Sequence, residues 1–200
     1  MVAMMKRTLT RYGRRRYARR YRRYRNVSNQ YFRTRIEGVY TVAFPSSTGD
    51  PVFAETNEKS VSFWDIFGGS RYYGSLTEMF GYYKITGAAI DVTPGPTNFQ
   101  GTSTVGAKTL VGIQFGDNNS GVSYHKLVAD NNSILLGVLT KSRKYVSTMG
   151  AVDWLPCSSS TDTAQVGRFA VASSITGTLT NQPTWTCKLS IYMVFKKSMV

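Results

Sequence analysis

The sequence predicts an all-β fold, one antiparallel sandwich or barrel, carrying a long basic arm on its N-terminal side. Three observations lead there. Apolar residues recur at every second position in several short runs, turn-forming residues close those runs, and nearly all the excess charge sits at one end of the chain. Of 200 residues, 25 are Lys or Arg and 11 are Asp or Glu. Thirteen of the basic residues and none of the acidic ones fall in residues 1–35, so residues 36–200 carry only +1 of the formal net charge of +14. We therefore divide the chain into an arm, 1–35, and a domain, 36–200. About 165 residues suffice for one well-buried core and not for two.

The arm opens with Lys6, Arg7 and Arg11. Arg14, Arg15 and Arg16, then Arg19 and Arg20, then Arg22, Arg23 and Arg25 follow in tight sets, and Arg33 and Arg35 close it. Such a segment calls for a polyanion. Nucleic acid suits it best, because each phosphate neutralised releases condensed counterions and so binds without reading sequence. Arginine forks onto phosphate oxygens. Tyr12, Tyr17, Tyr21 and Tyr24 are interleaved among the arginines, and a phenol ring stacks on an unpaired base, which favours a single strand over a duplex. A helix over Arg14–Arg25 would align Tyr17, Tyr21 and Tyr24 in one stripe. Mutual repulsion of the arginines opposes that helix until phosphates screen them, so the arm stays open between helix and extended chain.

The same cluster satisfies a nuclear import signal. A mitochondrial presequence fits less well, since those are Ser-rich and Ser28 is the first serine. Membrane-surface binding lacks an apolar face, with no Leu, Phe or Trp between Thr10 and Asn26. Met1–Met5 is too short for a secretory h-region, and no run reaches the roughly 18 apolar residues of a membrane span. Synthesis in the cytosol is expected, with Cys157 and Cys187 as free thiols and the sequons at Asn26, Asn118 and Asn131 unmodified.

The first strand is expected over Ile36–Phe44, where Ile36, Tyr40, Val42 and Phe44 alternate with Glu37 and Thr41 before Pro45-Ser46-Ser47. Further strands are expected at Lys59–Phe63, Tyr82–Thr93, Thr109–Phe115, Lys141–Thr148 and Gly167–Ile175. Pro94-Gly95-Pro96 stops the second of these and the Gly116–Gly121 turn stops the third. The strongest strand signal is the last one. Trp185, Cys187, Leu189, Ile191, Met193 and Phe195 occupy alternate positions against Thr186, Lys188, Ser190 and Lys196. Only Arg71–Phe80 and a weaker turn near Val122–Ala129 have helical spacing.

Little here serves catalysis. His125 is the only histidine, flanked by Tyr124 and Lys126, which excludes a His-rich metal site and favours a structural or solvated role. Asp117–Gly121 has part of the spacing of a calcium loop, but Val128 stands where the distal glutamate would be, so a hairpin turn is expected. Gly68-Gly69 and Gly49-Asp50-Pro51 lack the Lys-Ser/Thr of a phosphate loop. No enzyme, metal or cofactor is expected.

The Arg/Tyr-rich N-terminus, the segment Phe80-Gly81-Tyr82-Tyr83-Lys84-Ile85 running into an alternating strand that stops at Pro94, Lys141-Ser142-Arg143-Lys144-Tyr145, and the final strand Leu189–Lys197 together resemble a circovirus-type capsid protein. The family is that of small circular Rep-encoding single-stranded DNA viruses, and the likeness runs loosely along the whole chain. It implies an eight-stranded jelly roll whose copies close into a small icosahedral shell, with the arm inside on packaged single-stranded DNA. It also implies that Ile36–Phe44 and Trp185–Lys197 are neighbours in one sheet. The expected partners are then other copies of the chain, the packaged DNA, the nuclear import machinery and, through the outward loops, a host attachment receptor; the expected locations are the virion and, during assembly, the host nucleus. The alternative is a non-capsid single-stranded nucleic-acid-binding β-barrel acting as a small oligomer.

Overall fold

In a computed structural model the residues described are 31–45, 50–95, 108–116, 121–137, 139–148, 153–157, 166–174 and 183–197. The arm from Lys6 to Arg25, its four tyrosines, the helix considered for Arg14–Arg25 and most of the Gly116–Gly121 turn lie outside them.

The described residues form ten strands: β1 (Tyr31–Ala43), β2 (Val52–Phe53), β3 (Ser60–Ser62), β4 (Tyr82–Pro94), β5 (Thr109–Phe115), β6 (Ser133–Leu135), β7 (Ser142–Ser147), β8 (Leu155–Pro156), β9 (Gly167–Ser173) and β10 (Trp185–Lys196). They also form three short helices, α1 (Phe63–Gly68), α2 (Tyr73–Met79) and α3 (Tyr124–Ala129). One sheet runs β2-β1-β10-β4-β7, with β8 on the far end of β4, and the other runs β3-β9-β5-β6. With the two-residue strands β2 and β8 set aside, two four-stranded antiparallel sheets remain.

Their pairing is nested. The first strand pairs with the last (β1 with β10), the second with the seventh (β3 with β9), the third with the sixth (β4 with β7), and the fourth with the fifth (β5 with β6). A long hairpin rolled into two sheets gives this pattern, so the fold is the eight-stranded jelly roll that the resemblance implied. The neighbouring of first and last strands is borne out from Tyr31↔Lys196 to Val42↔Trp185.

Period two explains where the core lies. Trp185, Cys187, Leu189, Ile191, Met193 and Phe195 all point inward from β10 and are 0–2% exposed. They meet Tyr83, Ile85, Ala88, Ile90 and Val92 of β4 and, across the sandwich, Val111, Ile113, Phe169 and Val171. The second sheet is covered on its outer side too. Leu127 of α3 is fully buried against Leu110, Ala170 and Ala172. Its Cδ2 sits 2.8 Å from where a Cβ on Gly112 would be, so any larger residue there would push the Leu127 side chain aside. That double burial is why β5 reads as a nearly continuous apolar run.

Two expectations need correction. The opening strand begins at Tyr31 rather than Ile36, because its pairing with β10 continues through the basic residues: Phe32, on the same side as Ile36 though 46% exposed, stacks on Phe80 at 5.6 Å and lies near Phe195 at 6.4 Å. The strand expected to reach Phe63 stops at Ser62, where an overlooked helix, α1, starts. The Ser62 hydroxyl accepts from the Asp65 backbone N–H at 3.1 Å while the Asp65 carboxylate accepts from the Ser62 N–H at 2.8 Å. This capping box satisfies two groups at the helix end, and Phe63, Ile66 and Phe67 bury one face. The helix expected at Arg71–Phe80 is present as α2, and the weaker one as α3.

Candidate nucleic-acid interface

The outer face of the β1-β10-β4-β7 sheet carries no covering helix among the described residues, and its side chains follow from the register. Directly opposed residues of an antiparallel pair point to the same side. The outward rows across the sheet are therefore Val39, Lys188, Asp91 and Arg143; then Glu37, Ser190, Ala89 and Tyr145; then Arg35, Tyr192, Gly87 and Ser147; then Arg33, Val194 and Lys84; and finally Tyr31, Lys196 and Tyr82. Six cations (Arg33, Arg35, Lys84, Arg143, Lys188, Lys196) thus share this face with two carboxylates, Glu37 and Asp91.

The carboxylates sit among the cations. Glu37 accepts from Arg35 Nε at 2.6 Å and from Lys188 Nζ at 2.7 Å, and Asp91 accepts from Arg143 Nε at 3.1 Å. All these side chains are substantially exposed, so the pairs add little to stability and chiefly fix where the cations stand. Arg35 also donates to the Tyr192 hydroxyl; that bond, with Glu37 close by, raises its pKa above the ordinary guanidinium value despite slight burial. Arg33 is exposed and forms no ion pair with a described residue.

Between Arg33 and Tyr145 the face dips. The register of β10 against β4 shifts between Tyr192 and Met193, leaving Thr86 as the extra residue of a bulge, with its hydroxyl donating to the Tyr192 carbonyl at 3.2 Å. Gly87 follows, and Tyr145 leans over it to meet Tyr192 edge-to-face with ring centroids 5.3 Å apart. The result is an open depression of about 470 Å³, lined by Arg33, Arg35, Thr86, Tyr145 and Tyr192 with parts of Thr34, Met193 and Val194. Nearer the start of β1, Tyr31 stacks on Trp154 at 5.7 Å, and Lys196 Nζ lies 5.8 Å from the Tyr82 ring centre and 5.7 Å from that of Trp154.

Of the residues singled out from sequence as nucleic-acid contacts, Arg33 and Arg35 are the two the structure describes. Both lie on β1, on this face, rather than on a separate arm. Lys84, Arg143, Lys188, Lys196, Tyr145 and Tyr192 share the face with them and were not singled out from sequence as contacts. Net charge summed along the chain cancels them against acids placed elsewhere, whereas the same period-two argument applied to the charges would have gathered them.

The other candidates stay quiet. His125 is on α3 beside Tyr124, ring centroids 5.9 Å apart, near an open cleft lined by Asp50, Lys59 and Ser173. The described residues include no group of three or more His, Cys, Asp or Glu placed to hold a metal. Cys157 and Cys187 are both free and buried, and burial pushes their thiols up to about 11 and about 12. No helix of the described residues is long and apolar enough to cross a membrane.

No protein-family model matches the sequence, and a search of curated proteins gives no match. Solved structures do match in fold. A capsid structure of Cocksfoot mottle virus superposes with a TM-score of 0.57 at 11% identity, covering 86% of each chain. The 60-mer capsid protein of BFDV, a circovirus, gives 0.52 at 12% identity over 84% of this chain and 94% of its own. A virus-like particle of the Macrobrachium rosenbergii nodavirus gives 0.52 at 14% identity over 85% and 96%. At such identities the likeness is one of fold: this chain has the jelly-roll sandwich of virus shell subunits.

Proposed function

We propose that this chain is a viral capsid protein, a structural subunit without catalysis whose copies close into a small icosahedral shell around circular single-stranded DNA. The observation that carries the proposal is the nested pairing of eight strands in a fold shared, over more than four fifths of the chain, with shell subunits of several viruses. The arm supplies the second half of the reading. Eleven cations from Lys6 to Arg25 precede β1, and β1 itself continues the charge onto the cation-rich face through Arg33 and Arg35. Such an arrangement holds a phosphate backbone by counterion release. The same arm serves as the nuclear import signal, which places assembly in the host nucleus and the product in the virion.

Electron microscopy and light scattering of the purified full chain test this. Closed shells that protect single-stranded DNA from nuclease are the expected outcome. A protein that binds single strands but stays a small oligomer at every concentration would replace the capsid reading with that of a non-capsid single-strand-binding β-barrel.

A further inference from the structure

We infer that the depression on the β1-β10-β4-β7 face is a binding site for one nucleotide unit of a single strand, with the phosphate on Arg33 and Arg35 and the base stacked on Tyr145. The inference rests on the packaging role proposed above and adds a fixed site on the folded domain to the arm.

Four observations carry it. Arg33 has no carboxylate among the described residues to neutralise it, although both carboxylates on the face pair with other cations. Arg35 is held in place by Glu37 and Tyr192, so it meets a phosphate without first losing side-chain freedom. Tyr145 is 53% exposed in spite of its contact with Tyr192, so much of its ring surface is open to a base. The space of about 470 Å³ falls in the range of about 300–1,000 Å³ of sites that take nucleotide-sized ligands.

The local backbone is shaped for this. A Cβ on Gly87 would lie 2.8 Å from the Tyr145 hydroxyl, so glycine is what allows the ring to lie across β4. The Thr86 bulge opens the floor beside it. The depression also lies two to four residues from Tyr31, a few positions after the basic run Lys6–Arg25 in the sequence. A duplex cannot use the site in the same way, because its bases already stack on one another. Uridine and thymidine strands both can, since the stacking surface and the phosphate are common to them.

The test is fluorescence anisotropy of the full chain with a labelled single-stranded thymidine oligomer, its uridine counterpart and a duplex of equal length, across a salt series. Tyr145→Ala is expected to weaken single-strand binding roughly 5- to 150-fold and leave duplex binding unchanged, while Tyr145→Phe keeps the wild-type affinity. Arg33→Gln is expected to lower the salt slope by about 0.7, the share of one neutralised phosphate. A loss confined to one sugar still supports the site and names the strand it takes. Wild-type affinity and slope in both Tyr145→Ala and Arg33→Gln would overturn the site while leaving packaging by the arm standing, as would equal losses on duplex and single strand. A wild-type chain that binds no single strand at all would remove the packaging reading and this site with it.

Discussion

Tyr145 lies across Gly87 so closely that a single added carbon would collide with it, 2.8 Å from the phenol oxygen and 2.9 Å from the Val146 carbonyl. The first of those neighbours is a flexible side chain and the second is backbone, so the collision cannot be relieved by rotating Tyr145 alone. Gly87→Ala should therefore lower stability by about 1–3 kcal/mol through strain between β4 and β7. Thermal melts by circular dichroism check the stability. A variant melting at the wild-type temperature would show that β7 shifts without strain.

Ile191 is fully buried and stands opposite Ile36 and Ala88. Ile191→Asp puts a carboxylate into the core at several kcal/mol, comparable to the whole stability of a domain, and soluble expression should collapse. Lys188 faces the other way and bonds Glu37. Lys188→Gln should cost less than about 1 kcal/mol. Comparison of soluble yield and melting temperature separates the two faces, and similar losses would contradict the register.

The start of β1 at Tyr31 makes truncation informative. Removing residues 1–30 leaves the strand whole, so the domain should melt as before while single-strand affinity falls and its salt slope shrinks by about 0.7 for each phosphate no longer neutralised. Removing residues 1–35 also deletes Phe32, which packs on Phe80 and Phe195, and five backbone positions paired with β10. That second truncation should lower the melting temperature as well. Equal melting of the two would mean that the opening stretch of pairing contributes nothing.

Burial raises both thiols, Cys157 to about 11 and Cys187 to about 12 from an ordinary 9.0. A raised folded-state value means that the unfolded chain loses these protons first. The contribution to stability is therefore full below about pH 9 and is lost as pH climbs from there towards the folded values. At neutral pH a thiol reagent should label neither cysteine in the native protein and both in denaturant. Fast labelling of Cys187 in the native protein would show that the sandwich opens at β10, and of Cys157 that it opens beside β8.

Most of the jelly roll was legible because its long strands each bury one face, and alternation then marks them: β4, β5, β7, β9 and β10 fall within a residue or two of their expected limits. What escaped had a competing signal. The charge run masked Phe32 and Thr34 as inward positions of β1. At Ser62 two patterns overlap, a strand's last alternate residue and a capping box, and the box prevails because Phe63, Ile66 and Phe67 all reach the core from a helix. The strands β2, β6 and β8 have two or three residues each, too few for a period to register. The cation-rich face was hidden for another reason: its members are scattered over four strands, and only the register shows that they share one side.

The pairing of β1 with β10 also bears on how the chain is made. A ribosome delivers β1 early and β10 after every other described strand, yet β10 fills the place between β1 and β4. Until synthesis reaches Trp185, β1 has, among the described residues, only its two-residue pairing with β2 to hold it in this sheet, and the long-range pairing must wait. The described sheet thus cannot be completed from the N-terminal half of the chain alone. A chain cut short before its final strand would lack the centre of one sheet rather than its edge, so truncated products are barred from taking the folded shape.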